Sequence, residues 1–287
     1  MILVTGATGN VGGQVIARLV ERGIRARAVT RDPGSARLPE AAEVVRGDLA
    51  DPEGLRPCLD GVDAVFLMWP FHDARPMTAI LEVIEQHARR VVLLSSGAVQ
   101  DGLAPDRHTD PVGRSHAEVE RLLRRSGLAW TVLRPSTFAA NALWWAGQIR
   151  AGDTVAGPFG AVRMAMLHEA DIAAVAVAAL TEDGHDQECH RLTGPELLTQ
   201  AEQVHIIGRA LGRPLRWREL SREQARRRLL DDASFPDSFV DVLLDGYAKM
   251  LDAPAPALTR TVETVTGTPA RTFHQWVLDH AEHFSRR

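Results

Sequence analysis

The segment Val4-Thr5-Gly6-Ala7-Thr8-Gly9-Asn10-Val11-Gly12-Gly13 is where residue type and spacing point most directly to chemistry. Gly6, Gly9 and Gly12 recur every third residue, and each has a physical job in a turn that meets a phosphate. Gly6 lets the chain leave a strand tightly, Gly9 brings bare backbone up to an anion, and Gly12 lets the following helix pack closely on the sheet. The free amides and the positive end of the helix dipole then face a pyrophosphate, with Thr8, Asn10 and Val11 beside it. Such spacing is weak by itself. Here an apolar run precedes it and an amphipathic helix follows, which is the context it requires. The plainer alternative is an ordinary Gly-rich turn.

The next strand ends in Thr30-Arg31-Asp32. An acid at that tip binds ribose hydroxyls, as NAD sites do, whereas a guanidinium pairs with a 2′-phosphate and stacks on adenine. Arg31 therefore favours NADP (NADPH), and Asp32 keeps NAD open. Asp48, followed by Leu49, can accept from an adenine amino group or simply cap a turn. Ser95 and Ser96 stand where a strand ends. Their hydroxyls can hold a substrate carbonyl or merely satisfy nearby backbone. His116 opens a charged helix with Glu120 one turn on. It can donate a proton or hold a ribose, or be an exposed helix histidine beside a surface glutamate.

The loop Met68-Trp69-Pro70-Phe71-His72 places aromatics beyond another strand. Trp69 and Phe71 suit one wall of an aromatic slot, stiffened by Pro70, or core packing. Phe138, Asn141, Trp144 and Trp145 suit the other wall, or a hydrophobic seam between lobes. His280 and His283 share a helical face and His274 lies nearby. No carboxylate with ligand geometry joins them, so no metal is expected.

The elements that must position these groups follow from periodicity. Strands are expected at 2–5, 25–30, 44–45, 62–68, 91–95, 130–133 and 190–193. Helices are expected at 11–21, 76–88, 114–125, 168–181, 199–211, 221–231, 235–251 and 270–284. Alternating strands and helices imply an α/β fold with a doubly wound parallel sheet and a smaller, mostly helical C-terminal lobe. Residues 1–152 form the Rossmann domain, whose core also takes in about 166–195. Residues 196–287, with 136–165, form the smaller lobe.

Composition narrows the class. The chain has 287 residues, 45% of them hydrophobic, enough for one large core or a core with a lobe. The net charge of -4 and the lack of a clustered basic face argue against nucleic acid. Two cysteines make neither a disulfide framework nor a zinc site. No apolar run reaches the roughly 18 residues of a membrane span, and no secretory signal precedes Met-Ile-Leu-Val-Thr-Gly. A cytoplasmic protein, monomer or homodimer, acting on a small molecule is expected.

TGATGNVG at 5–12, the Thr-Arg after the second strand, GDL at 47–49 and WTVLRP at 130–135 followed by Asn141 resemble the NmrA-like branch of atypical short-chain dehydrogenases/reductases. The likeness extends to LTGPE at 192–196 and TGTPARTF at 266–273, so it covers nearly the whole chain. It is strongest to the quinone oxidoreductase and triphenylmethane reductase type. It implies an NADPH-binding Rossmann domain, with Met68, Trp69, Pro70, Ser95, His116, Pro135 and Phe138 beside the cofactor. Related reductases carry a His at the position of His116, or a Lys in the aromatic-alcohol branch. The Tyr-x-x-x-Lys pair of standard short-chain reductases cannot be built here, because the only tyrosine is Tyr247 and the only lysine Lys249. A quinone or delocalised cation accepts hydride through its own electronics and needs position and a dry slot rather than a protein acid. The expectation is an NADPH-dependent reductase of a conjugated small molecule. A non-catalytic dinucleotide sensor is the alternative, and an isomerase, epimerase or lyase ranks third.

Overall fold

β1 (Ile2–Val4) is three buried apolar residues, as a strand hydrogen-bonded on both sides must be. It pairs in parallel with β2 (Ala26–Thr30) and with β4 (Ala64–Met68). β3 (Glu43–Arg46) extends the sheet beyond β2. β5 (Arg90–Leu94), β6 (Ala129–Pro135) and β9 (Glu188–Leu192) extend it beyond β4. The order β3-β2-β1-β4-β5-β6-β9 is parallel throughout and reverses direction at β1/β4. That reversal is where open α/β sheets leave a crevice at their carboxyl ends. The doubly wound α/β architecture read from periodicity is the observed one.

The computed structural model describes residues 1–231 and 237–285. The expected helix at 235–251 begins outside that range at 235 and 236; the described part is α8 (Asp237–Asp252). α1 (Asn10–Glu21) buries Val11, Val15, Ile16 and Leu19, the stripe that its spacing marks out. α5 (Glu169–Thr181) is apolar nearly all round because it is buried nearly all round, packing on α1 and on β4, β5 and β6. α2 (Met77–Glu85) and α3 (Pro111–Leu123) contribute Ile80, Ile84, Val119 and Leu123 to one core with Leu3, Val65, Leu67, Val91 and Leu93. Alternate strand residues therefore serve opposite faces.

The chain divides into two units. The first is Met1–Ser136, Glu169–Leu192 and Arg260–Pro269, and the second is Thr137–His168, Thr193–Thr259 and Ala270–Arg287. Residues 137–152, which the sequence reading placed both in 1–152 and with the lobe at 136–165, fall in the second unit. Residues 260–269 return to the first unit, because α9 (Thr261–Thr266) buries Val262 and packs on α5 and β9. Periodicity missed α9, whose β-branched TVETVT has poor helix propensity.

The second unit holds α4 (Ala146–Ala151), α6 (Gln200–Ala210), α7 (Arg222–Leu230), α8, α10 (Phe273–Asp279) and α11 (Ala281–Phe284). It also holds two small sheets. In one, β7 (Thr154–Gly157) pairs in parallel with β11 (Arg216–Glu219). In the other, β8 (Arg163–Ala165) pairs antiparallel with β10 (Leu197–Thr199). None of these four was expected; strands of three or four residues show too little alternation to read. The expected helix at 270–284 is split at His280, so His280 and His283 do not share one helix. No helix among the described residues is long and apolar enough to cross a membrane.

Candidate functional site

At the end of β1 the Thr5 hydroxyl accepts from the Met68 amide at 2.8 Å and donates to the Phe66 carbonyl at 3.3 Å. One side chain thus ties together the two strands that flank the switch point. Gly6 follows with φ +60°, a conformation that favours glycine, and its carbonyl accepts from the Gly9 amide at 3.0 Å. A Cβ on Gly12 would lie 2.7 Å from the Gly6 carbonyl carbon and closer still to its oxygen, so only a hydrogen fits where helix crosses turn. Gly9 caps α1 in an extended conformation, with no side-chain hydrogen bond and no acid in the first turn. Thr8, Gly9 and Asn10 are exposed, while Val11 is buried inside α1. A cradle that a Cβ would fill and a helix start no side chain occupies fit a dinucleotide's diphosphate.

At the tip of β2, Arg31 and Asp32 are both exposed. The Asp32 amide donates to Thr30 Oγ1 at 3.3 Å and its carbonyl accepts from Ser35 Oγ at 3.3 Å, which fixes the turn without using its carboxylate. The Arg31 guanidinium has no ion pair among the described residues and stays available. Asp48 accepts from the Ala50 amide at 2.9 Å, the turn-capping role, and Leu49 is buried beside it in the core.

Beyond β5 the side chains close on one another. Ser95 is buried, and its Oγ donates to Glu120 Oε1 at 2.6 Å. Glu120 is fully buried, which corrects its reading as a surface charge. Its two oxygens take Arg134 Nε at 2.8 Å and Nη2 at 2.6 Å, and Arg124 adds a contact at 2.8 Å. Arg134 also pairs with Asp101, and Asp101 with Arg191. Burial pushes the Glu120 carboxyl up, but hydrogen bonds from Arg134 and Ser95 and the charges of Arg134 and Arg124 outweigh it and hold the group below its ordinary value. Ser96 accepts from the Ala98 amide at 3.2 Å. Pro135 closes β6, buried, and the Gly97 amide donates to its carbonyl at 2.8 Å.

Sequence reading passed over this Ser95–Glu120–Arg134 knot. The available signal was an arginine inside the apolar strand WTVLRP, which burial obliges to find an acid.

α3 begins at Pro111, earlier than periodicity suggested, because Asp110 caps it by accepting from the Gly113 amide at 2.6 Å and Pro111 fits the first helical position. His116 therefore lies in the second turn instead of opening the helix. It is half-buried, with Nδ1 3.0 Å from the Val112 carbonyl. Burial lowers its pKa from 6.5, against opposing pulls from that carbonyl and from Glu120 and Asp110. The neutral ring then carries its proton on Nδ1 and presents Nε2 as an acceptor.

The aromatic candidates separate by unit. Trp69 is 6% exposed in the core of the first unit, and its Nε1 donates to the Asp73 carbonyl at 3.2 Å. Phe71 packs edge-on to it, with ring centroids 5.0 Å apart. This is core packing. Met68 is half-buried and Pro70 exposed.

In the second unit, Phe138 forms a bridge with Leu167, and Asn141 is half-buried in a short 3-10 helix, Ala139–Trp145. Trp144 and Trp145 line a cavity that also takes in Tyr247 and Arg228. Nothing in the sequence marks Tyr247 for such a lining beyond its being the only tyrosine. His280 stacks on Trp276 with centroids 4.5 Å apart. Among the described residues no group of three or more His, Cys, Asp and Glu is placed to hold a metal ion.

A parallel sheet with a glycine-lined, side-chain-free helix start at its switch point defines a dinucleotide-binding α/β protein. Residues 6–183 match the NAD(P)H-binding family. Over 99% of both chains the sequence is 39% identical to a (4-alkanoyl-5-oxo-2,5-dihydrofuran-3-yl)methyl phosphate reductase of Streptomyces griseus subsp. griseus. It is 34% identical to an NAD(P)H azoreductase of Xenophilus azovorans, again over 99% of both. The fold matches an NADPH-dependent quinone oxidoreductase of Escherichia coli in complex with NADPH, with a TM-score of 0.81 and 23% identity over 98% of this chain and 100% of that one. The chain belongs to the NAD(P)H-binding, NmrA-like atypical short-chain dehydrogenases/reductases, a family of oxidoreductases.

Proposed function

We propose that the chain is an NADPH-dependent reductase that delivers hydride to a conjugated, electron-poor small molecule without a protein acid. The observation that carries this is the state of Ser95, whose hydroxyl is spent on a fully buried glutamate. Tyr247 and Lys249 both lie on α8 of the second unit, so a Tyr-x-x-x-Lys pair is absent as well. A substrate that needed a strong proton donor as its carbonyl was reduced would find none among these groups. A quinone, an azo compound or an unsaturated lactone spreads the incoming electron pair through its own π-system. The two closely matching relatives are named for acting on substrates of this kind.

The residues divide the work. Gly6, Gly9 and Gly12 keep the loop thin, and the first-turn amides of α1, beside Thr8 and Asn10, hold the diphosphate. Arg31 takes the 2′-phosphate and so selects NADPH over NADH. The bound nicotinamide supplies the hydride. His116, neutral and accepting at Nε2, holds a ribose hydroxyl rather than donating a proton.

The test is a panel of quinones, azo dyes, enones and unsaturated lactones with NADPH and with NADH. Turnover of at least one with NADPH is expected, and Arg31→Ala should raise KM for NADPH by about tenfold while leaving that for NADH unchanged. Tight dinucleotide binding without turnover of any compound would replace this reading with the sensor. Equal use of NADH and NADPH would remove Arg31 from its role.

A further inference from the structure

We propose that the cavity of the second unit is a binding site for a small organic anion with an apolar body, a carboxylate or phosphate ester on a short chain or single ring. The site lies wholly within the second unit and does not rest on the reductase reading. Its walls are Trp144, Trp145, Leu229, Leu243 and Leu244, with the Tyr247 ring among them. Its volume is about 80 Å³. Drug-sized ligands take roughly 300–1,000 Å³, so this cavity accepts a ring or a short chain and leaves the remainder of any larger ligand outside.

Two side chains of that lining, Tyr247 and Arg228, carry polar groups with no protein partner among the described residues. The Tyr247 hydroxyl makes no hydrogen bond to any described residue, and burial pushes its pKa to about 12, so at neutral pH it keeps its proton and can donate to a ligand acceptor. The Arg228 guanidinium, exposed at the cavity, has no ion pair among the described residues, whereas its neighbour Arg227 pairs with Glu223. The remaining amides in the lining are already committed. Gln148 both donates to the Ala156 carbonyl and accepts from its amide. Gln200 donates to the Pro158 and Phe159 carbonyls. A half-buried phenol donor and an unpaired guanidinium beside an apolar wall select an acceptor oxygen that carries negative charge on an apolar stem.

Calorimetric titration of the full chain without dinucleotide tests this, with hexanoate, benzoate, hexyl phosphate and the neutral control hexanol as probes. Saturable one-to-one binding of hexanoate, benzoate or hexyl phosphate is expected, and the preferred head group identifies carboxylate or phosphate as the natural chemistry. Tyr247→Phe should weaken the anion by about tenfold without lowering Tm, because the lost hydroxyl has no internal partner. Arg228→Gln should erase the preference of anion over hexanol. NADPH binding, measured on the same variants, should be unchanged, which separates this site from the glycine loop. Absence of binding by all three anions, equal affinity for hexanol, or full affinity in both variants would overturn the proposal.

Discussion

Two regions of the first unit stand where doubly wound sheets place function, and they have opposite characters. The β1–α1 turn is open: its helix start has no side-chain cap, and Thr8, Gly9 and Asn10 face solvent. The β5–α3 region is closed: Asp110 caps its helix, and Ser95, Glu120, Arg134 and Arg124 satisfy one another. Both hold residue types that suit catalysis or binding. What separates them is whether the polar groups have internal partners. An open set waits for a ligand, whereas a closed set holds the fold, so a serine at a strand end has no chemical meaning until its partner is known.

The largest effect should come from opening the closed region. Glu120→Ala leaves the guanidinium of Arg134, which is 4% exposed, with only the exposed Asp101 as its partner. Removing one partner of a buried pair costs about 3–5 kcal/mol, so chemical denaturation should show a loss of that order. At a temperature where the variant is still folded it should retain NADPH binding. Loss of NADPH binding there would make the knot part of the cofactor site and dissolve the contrast.

The same carboxyl sets an acid limit. Its folded pKa is depressed, so its stabilisation is complete above the unfolded value of about 4.3 and disappears as pH falls through the folded value. Denaturation midpoints measured between pH 6 and pH 3 should fall less steeply in Glu120→Gln than in the unmodified chain.

Closing the open region should come next. Gly12→Ala pushes a methyl against the Gly6 carbonyl, a backbone group that cannot rotate aside. NADPH binding should weaken by about 100-fold, some 2.7 kcal/mol. Binding within a few-fold of the unmodified chain would mean the turn is not the cradle.

The open region was legible because its consequences are local. A glycine's freedom, an apolar strand and an amphipathic helix are all written within a dozen residues. The parallel, doubly wound sheet followed from strand–helix alternation for the same reason. The closed region was not legible, because Ser95 meets a carboxylate 25 residues away and only burial decides that Glu120 points inward. Trp69 and Phe71 read equally well as slot or core until their packing was seen. The strands of the second unit, with β7 and β11 far apart in the chain, show no period of their own. Tyr247 went unmarked because its interest lies in a hydroxyl without a hydrogen bond among the described residues, a property that no sequence records.

His116 tests the border between the two regions. With burial depressing its pKa below 6.5, it is neutral when folded, and its contribution to stability is full above that value and is lost as pH falls below it. His116→Gln removes that slope between pH 7.5 and 5. If Nε2 accepts from a ribose hydroxyl, the substitution should also weaken NADPH by about fivefold, the value of one ordinary hydrogen bond. A change in stability slope with no change in binding would move His116 wholly into the closed region.

The smallest expected effect is also the most selective. Asp110→Ala removes the cap of α3 and should cost about 0.5–1 kcal/mol of stability in a urea titration, since the Gly113 amide loses its acceptor. Dinucleotide binding should not change, because that helix start already has its acceptor and is not waiting for a phosphate. The bare start of α1 responds in the opposite sense. An acid introduced there, as in Gly9→Asp, adds a cap and so favours the helix, while its charge repels the diphosphate that the amides otherwise receive. The pair of variants therefore shifts stability and affinity in opposite directions at one helix start and stability alone at the other. A loss of NADPH affinity in Asp110→Ala comparable to that in Gly9→Asp would show that capping and ligand binding are not divided between these two helices.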